Sequence, residues 1–181
     1  MGYFNPIPEK NFLIDVILKT IIDIVVVVSI AFFFIIFFCD KSVVIGSSMS
    51  SELGNGETVL INKMSYLLGE PERFDVIVYE NDNGPNIKRI IGLPGERIKI
   101  VDSKIYINGE ILEDIYFSDT FESGYVTDEI EIAPDEYFVL GDNRNVSEDS
   151  RFSYVGNVKA DEIIGKAWLI AAPFERIGFI D

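Results

Sequence analysis

The chain has 181 residues, a formal net charge of −15 and no histidine. The acidic balance excludes nucleic acid as a partner, because phosphate binding needs a basic face. With a single cysteine, Cys39, an internal disulfide and a His/Cys zinc site within one chain are also excluded, as is any catalytic group built on histidine.

The length admits one domain plus an appendage, and the appendage comes first. From Ile21 to Cys39 the chain reads "IIDIVVVVSIAFFFIIFFC". A helix over this run is about 28 Å long, close to the roughly 30 Å of a bilayer's hydrocarbon core. Asp23 falls in its first turn, near one interface, where a charge costs less than at the centre. Hydrophobicity all round argues against a buried core helix. The lack of a small-x-small site near its end argues against a cleaved signal peptide. Phe38, large and directly before Cys39, argues against a lipoprotein anchor. The expected organisation is a short cytoplasmic segment over 1–20, a retained transmembrane anchor over 21–39 and an extracytoplasmic domain over 40–181. Lys10 and Lys19 before the span, against Lys41 after it, set that orientation by the positive-inside rule.

Beyond Asp40 the chain reads as strands rich in Val, Ile and Tyr, separated by Gly, Pro, Asn and Asp. They are predicted over Glu57–Lys63, Phe74–Glu80, Asn86–Ile91, Arg97–Val101, Lys104–Gly109, Glu136–Asp142 and Glu162–Ile170. The pair Arg97–Val101 and Lys104–Gly109 forms a hairpin turning at Asp102–Ser103. The acidic stretch Ile111–Glu131 lacks a pattern and reads as a solvated, mobile loop. The fold class is mainly β, a compact barrel or sandwich-like domain preceded by a single transmembrane helix.

The stretch "VVIGSSMSSEL", Val43 to Leu53, offers a serine as a nucleophile. A serine hydroxyl needs a base to take its proton, and in the absence of histidine the candidates are Lys, Asp, Glu and Tyr. Lys88, in "NIKRIIGLPGE", shares a strand face with Ile90, whereas Arg89 points the other way. Buried there, its amine loses solvation, its pKa falls and the neutral form becomes a usable base. An edge-strand lysine with its amine in water is the other reading of the same pattern. A third stretch, "GDNRNVSEDSR", Gly141 to Arg151, spaces acids and arginines so that they can pair and brace the loop.

Together these residues resemble the bacterial type I signal peptidases, membrane-anchored serine proteases with a Ser–Lys dyad. The family's serine box, V-x-G-x-S-M-x-P-T-L, stands here as "VIGSSMSSEL". Its lysine box, K-R-x-x-G-x-P-G-D, stands as "KRIIGLPGE", and its last box, G-D-N-R-x-x-S-x-D-S-R, is matched in full. The resemblance implies Ser48 as nucleophile, Lys88 as general base and Ser147 as the hydroxyl that orients the lysine. It implies Asp149 and Arg151 as a supporting ion pair, and Asp142 and Arg89 as further supporting residues. Gly46 stands where some members carry an oxyanion-binding serine, so the oxyanion hole rests on backbone N–H, chiefly that of Ser48. No metal and no other cofactor is implied. The implied activity is removal of signal peptides from exported preproteins at the outer face of the cytoplasmic membrane, with small residues at the first and third positions before the cut. The implied partners are those signal peptides, the lipid bilayer and the secretion translocon.

Ser51-Glu52 replaces the Pro-Thr of the serine box. A carboxylate close to Lys88 would hold the amine charged, so the Glu52 side chain is expected to point away from it. That replacement keeps an alternative open, a catalytically silent, membrane-tethered β domain that binds peptides or partner proteins. Self-cleaving repressors that use Ser–Lys dyads fit less well, because they carry a DNA-binding domain and no span.

Overall fold

Alternating Val, Ile and Tyr, broken by turn-forming residues, build the chain after Phe38 around short strands. The computed structural model describes residues 12–50, 52–81, 84–116 and 120–180. Lys10 and Ser51 lie outside the described residues. The chain divides into two units, Met1–Phe38 and Cys39–Asp181.

The first unit holds one helix, α1, over Phe12–Phe38. It starts at Phe12 and not at the predicted Ile21, because the preceding Leu, Ile and Val residues carry the helical run backwards. Its stretch Leu13–Phe33 is long and apolar enough to cross a membrane, and none of it is buried inside the protein. Cys39, expected to end the anchor, instead opens the first strand and pairs with Asn62.

In the second unit the strands are β1 (Cys39–Val43), β2 (Thr58–Asn62), β3 (Val76–Asn81), β4 (Gly84–Gly92), β5 (Arg97–Val101), β6 (Lys104–Ile107), β7 (Glu110–Ile111), β8 (Ile130–Glu131), β9 (Glu136–Leu140), β10 (Val158–Lys159), β11 (Ile163–Ala172) and β12 (Gly178–Phe179), with a short α-helix, α2, over Ser65–Leu68 and 3-10 turns at Ala160–Glu162 and Phe174–Arg176. The main sheet runs in the order β1-β2-β11-β3-β4-β9-β10, with β12 beside β11. The smaller sheet runs β7-β6-β5-β8. The hairpin between β5 and β6 turns at Asp102 and Ser103, whose φ values of 50° and 60° suit the tight turn that follows strand twist.

The two sheets share a core. Ile91, Phe138 and Leu140 of the main sheet pack with Ile98, Ile100, Ile105 and Ile107 of the smaller one. A second cluster, containing Ile77, Tyr79, Ile90 and Val139, covers the other side of β4. From Ile87 onward β4 is therefore buried at every position. This mainly β, sandwich-like arrangement agrees with the expected class. It also explains how a strand can carry a lysine and an arginine out of water on opposite faces.

Candidate active site

Ser48 and its neighbour Ser47 differ in setting. Ser47 is exposed and Ser48 half-buried at the start of a tight turn, closed by Ser50 N–H to Ser47 O at 3.1 Å and Leu53 N–H to Met49 O at 2.6 Å. Met49 and Leu53 pin that turn: they are 1% and 0% exposed. Burial of each such side chain contributes roughly 1.5–3 kcal/mol. Gly46 precedes the turn at φ 89°, a conformation that side chains with a Cβ rarely adopt.

Lys88 reaches this turn from β4. Its Nζ is hydrogen-bonded to Ser48 Oγ at 3.0 Å, and the residue is only 4% exposed. Loss of solvation pushes the Lys88 pKa down from its ordinary 10.5. Asp149, Glu148 and Asp142 pull it back up, and Arg151 opposes them, but burial outweighs the acids. Of the two readings that the strand pattern left open, the geometry is that of the buried lysine.

The loop Gly141–Arg151 lies against both groups. Asn143 N–H donates to Ser48 O at 2.9 Å, Asn143 Nδ2 to Ser50 Oγ at 2.7 Å and Asp142 N–H to Met49 Sδ at 3.4 Å. Asp149 is fully buried and binds Arg151 through both oxygens, at 2.7 and 2.9 Å. It also accepts Gly141 N–H at 3.1 Å. Asp142 holds Arg89 in the same two-pronged way, at 2.9 and 2.8 Å, with both side chains out of solvent. Paired charges with parallel N–H donors are the arrangement in which burial of an arginine is tolerated. Ser147 is buried beside these groups, and its Oγ makes no hydrogen bond among the described residues. It packs on Gly141: a Cβ at Gly141 would sit 2.2 Å from Ser147 Oγ and 2.5 Å from Ser48 O.

Glu52 belongs to different surroundings. Its backbone carbonyl accepts from Arg176 at 3.0 Å, and its charge acts on Arg176. The acids named above as acting on Lys88 are Asp149, Glu148 and Asp142. Arg176 in turn pairs with Glu57 at 2.8 Å.

The sequence reading overlooked several contributors. Gly141, Asn143 and Arg144 lie within the last box, but nothing in a one-dimensional pattern says that the first two meet the serine turn or that Arg144 holds the Gly141 carbonyl. The stretch Ile111–Glu131 was expected to be solvated. Instead, Val126 is fully buried, Tyr116 lies under Arg89 with 3.5 Å from guanidinium to ring centre, and Asp114 pairs with Arg144 at 2.6 Å. Acidic composition concealed this, because the partners of those acids are buried arginines far away in sequence.

A family model, "Signal peptidase, peptidase S26", matches residues 17–172. The chain belongs to this family. Among its relatives, the signal peptidase I of Bacillus caldolyticus is 36% identical over 157 residues, which is 80% of this chain and 85% of that protein. The Synechocystis sp. protein called "Probable signal peptidase I-2" is 34% identical over 142 residues, 74% of this chain, and the match spans only 63% of that longer protein. A crystal structure of a signal peptidase I from Enterococcus faecalis V583 is 33% identical and matches with a TM-score of 0.44, covering 54% of this chain and 97% of that one. The family is one of serine endopeptidases, and this chain is assigned to that class. Membrane anchoring is a family trait that α1 fits as a single span.

Proposed function

We propose that the chain removes signal peptides from exported preproteins with a Ser48–Lys88 dyad. The observation that carries this reading is the 3.0 Å hydrogen bond between Lys88 Nζ and Ser48 Oγ at a lysine only 4% exposed. An amine out of water is held neutral more easily and can accept a proton. Ser48 Oγ adds to the scissile carbonyl and its proton passes to Lys88 Nζ. The resulting ammonium returns that proton to the departing amine nitrogen, leaving an acyl-enzyme. Lys88, neutral again, then takes a proton from water as the water attacks the ester, and gives it to Ser48 Oγ as the ester C–O bond breaks and the cleaved acid leaves. The Ser48 N–H serves the oxyanion. Ser147 Oγ, buried and with no hydrogen bond among the described residues, is left to accept from the amine and so steer it, and the Asp149–Arg151 and Asp142–Arg89 pairs hold the loop behind it.

The substrate is an extended leader. β4 pairs with β3 over Gly84–Arg89, while β9 takes its other edge only from Arg89 to Gly92. Among the described residues no strand pairs with that second edge over Gly84–Lys88. An extended peptide can add there as a strand, alternate side chains facing pockets, and bring its carbonyl to Ser48. Small residues at the first and third positions before the cut suit such shallow pockets. A cavity of about 870 Å³ touches that edge at Asn86; its further lining by Glu80, Glu148, Tyr154 and Asp161 among others is acidic, and it includes neither Ser48 nor Lys88.

The proposed anchor lies within α1, with the chain before the span cytoplasmic and the strand domain from Cys39 on the outer side, where a leader remains in the bilayer after passing the secretion translocon. Few residues separate the anchor from Ser48, which favours work at the membrane surface. The test is cleavage of a purified preprotein in detergent micelles. Ser48→Ala and Lys88→Ala should each abolish turnover, and the double variant should be hardly worse, because groups acting as one unit are not additive. Ala→Phe at either small position of the substrate should block cutting. Near-normal turnover by Lys88→Ala would end the dyad reading and favour a silent peptide-binding domain or another base.

A further inference from the structure

The long connection between β7 and β8, here called the strap, does more than join strands. Its residues engage three arginines that are 0–2% exposed. Asp114 pairs with Arg144 at 2.6 Å, and Tyr116 lies under Arg89. The Glu122 carbonyl accepts from Arg151 at 3.0 Å, and Tyr125 N–H donates to Arg151 O at 3.0 Å. The connection is itself fastened to the smaller sheet: Phe121 and Ser103 Oγ exchange hydrogen bonds at 2.9 and 3.1 Å, and Ile100 N–H donates to Val126 O at 2.8 Å.

From the arginines the contacts lead to the reacting groups. Arg144 Nε donates to Gly141 O at 3.0 Å, and Gly141 packs against Ser48 O and Ser147 Oγ. Arg89 holds Asp142, whose N–H meets Met49 directly after the serine. An arginine out of water stays where its partners put it, since a shift would leave its charge unpaired.

We propose that Asp114 and Tyr116 are positioning residues for the peptidase reaction, bracing Arg144 and Arg89 so that Gly141 and Asp142 set the height of the Ser48 turn relative to Lys88. This rests on the dyad reading above. Neither residue touches substrate or the reacting atoms. They act at a distance through the arginines.

The experiment uses the full chain in detergent and a short soluble peptide substrate. kcat and KM are measured for Asp114→Asn, Asp114→Glu, Tyr116→Leu and, as a control, Glu113→Gln, which removes an exposed neighbouring charge. Thermal melting confirms that each variant is folded at the assay temperature. Asp114→Asn should lower kcat at least tenfold with KM within twofold, and Asp114→Glu should recover most of that loss. Tyr116→Leu should lower kcat three- to tenfold. Tyr116→Leu leaves the ion pairs in place and carries the test alone if Asp114→Asn does not fold. A kcat within twofold of the parent in either folded variant, or an equal loss in Glu113→Gln, overturns the proposal. Ser48→Ala is run alongside: turnover surviving there refutes the dyad whatever the strap variants do, whereas an inactive Ser48→Ala with unchanged strap variants refutes the strap alone.

Discussion

Gly141→Ala is the smallest change that reaches the proposed centre. Its new methyl carbon would lie 2.5 Å from Ser48 O and 2.2 Å from Ser147 Oγ, where ordinary contact begins near 3.4 Å. Ser147 Oγ is a side-chain atom and can turn aside. Ser48 O is backbone, held by Asn143 N–H at 2.9 Å, so relief there moves the turn itself by about 0.9 Å, the difference between 3.4 and 2.5 Å. A displacement of about 1 Å at a reacting group costs on the order of 10²-fold in rate. Single-turnover cleavage of a saturating peptide should therefore fall about a hundredfold while binding changes little. The double variant Gly141→Ala/Ser147→Gly removes the side-chain clash and leaves the backbone one, so it should be well below Ser147→Gly alone. A Gly141→Ala enzyme within threefold of the parent, or a double variant as fast as Ser147→Gly, would show that the turn is not seated on Gly141.

Further outcomes follow from the charges. Because burial lowers the Lys88 pKa and the neutral amine is the proposed active form, activity should rise with pH through a midpoint below 10.5, and a midpoint at the free-lysine value would refute the role of burial. The same shift means that the unfolded chain binds the extra proton between the folded pKa and 10.5. Parent stability should rise with pH across that window, and Lys88→Met should be the more stable protein at neutral pH with that slope gone, as measured by urea unfolding. Asp142→Asn leaves the guanidinium of Arg89, 0% exposed, without its counter-charge, and should cost about 3–5 kcal/mol. Arg97→Gln breaks only an exposed pair with Glu129 and should cost under about 1 kcal/mol by the same unfolding assay. Glu52→Thr should leave the rate nearly unchanged, since Glu52 acts on Arg176; a large gain with a profile moved to lower pH would show that it suppresses Lys88.

Local chemistry made much of this protein legible without coordinates. All-round hydrophobicity from Ile21 marks an apolar helix, because no soluble surface helix can expose it on every side. Period-two alternation and turn residues located the strands that bear the site, and Asp102–Ser103 announced its hairpin, because these signals depend on neighbours in the chain. The absence of histidine narrowed the base to a few residue types by chemistry alone. What alternation left undecided was whether Lys88 lies in water or out of it. That depended on two clusters covering both faces of β4, one of them drawn from strands of a second sheet. The same limit hid the role of the β7–β8 connection. Asp114 and Tyr116 sit in a stretch whose composition reads as solvated, and their partners, Arg144 and Arg89, lie 30 and 27 positions away in the chain. Pairing a charge with a buried partner over such a separation is decided only when tertiary packing removes the water between them.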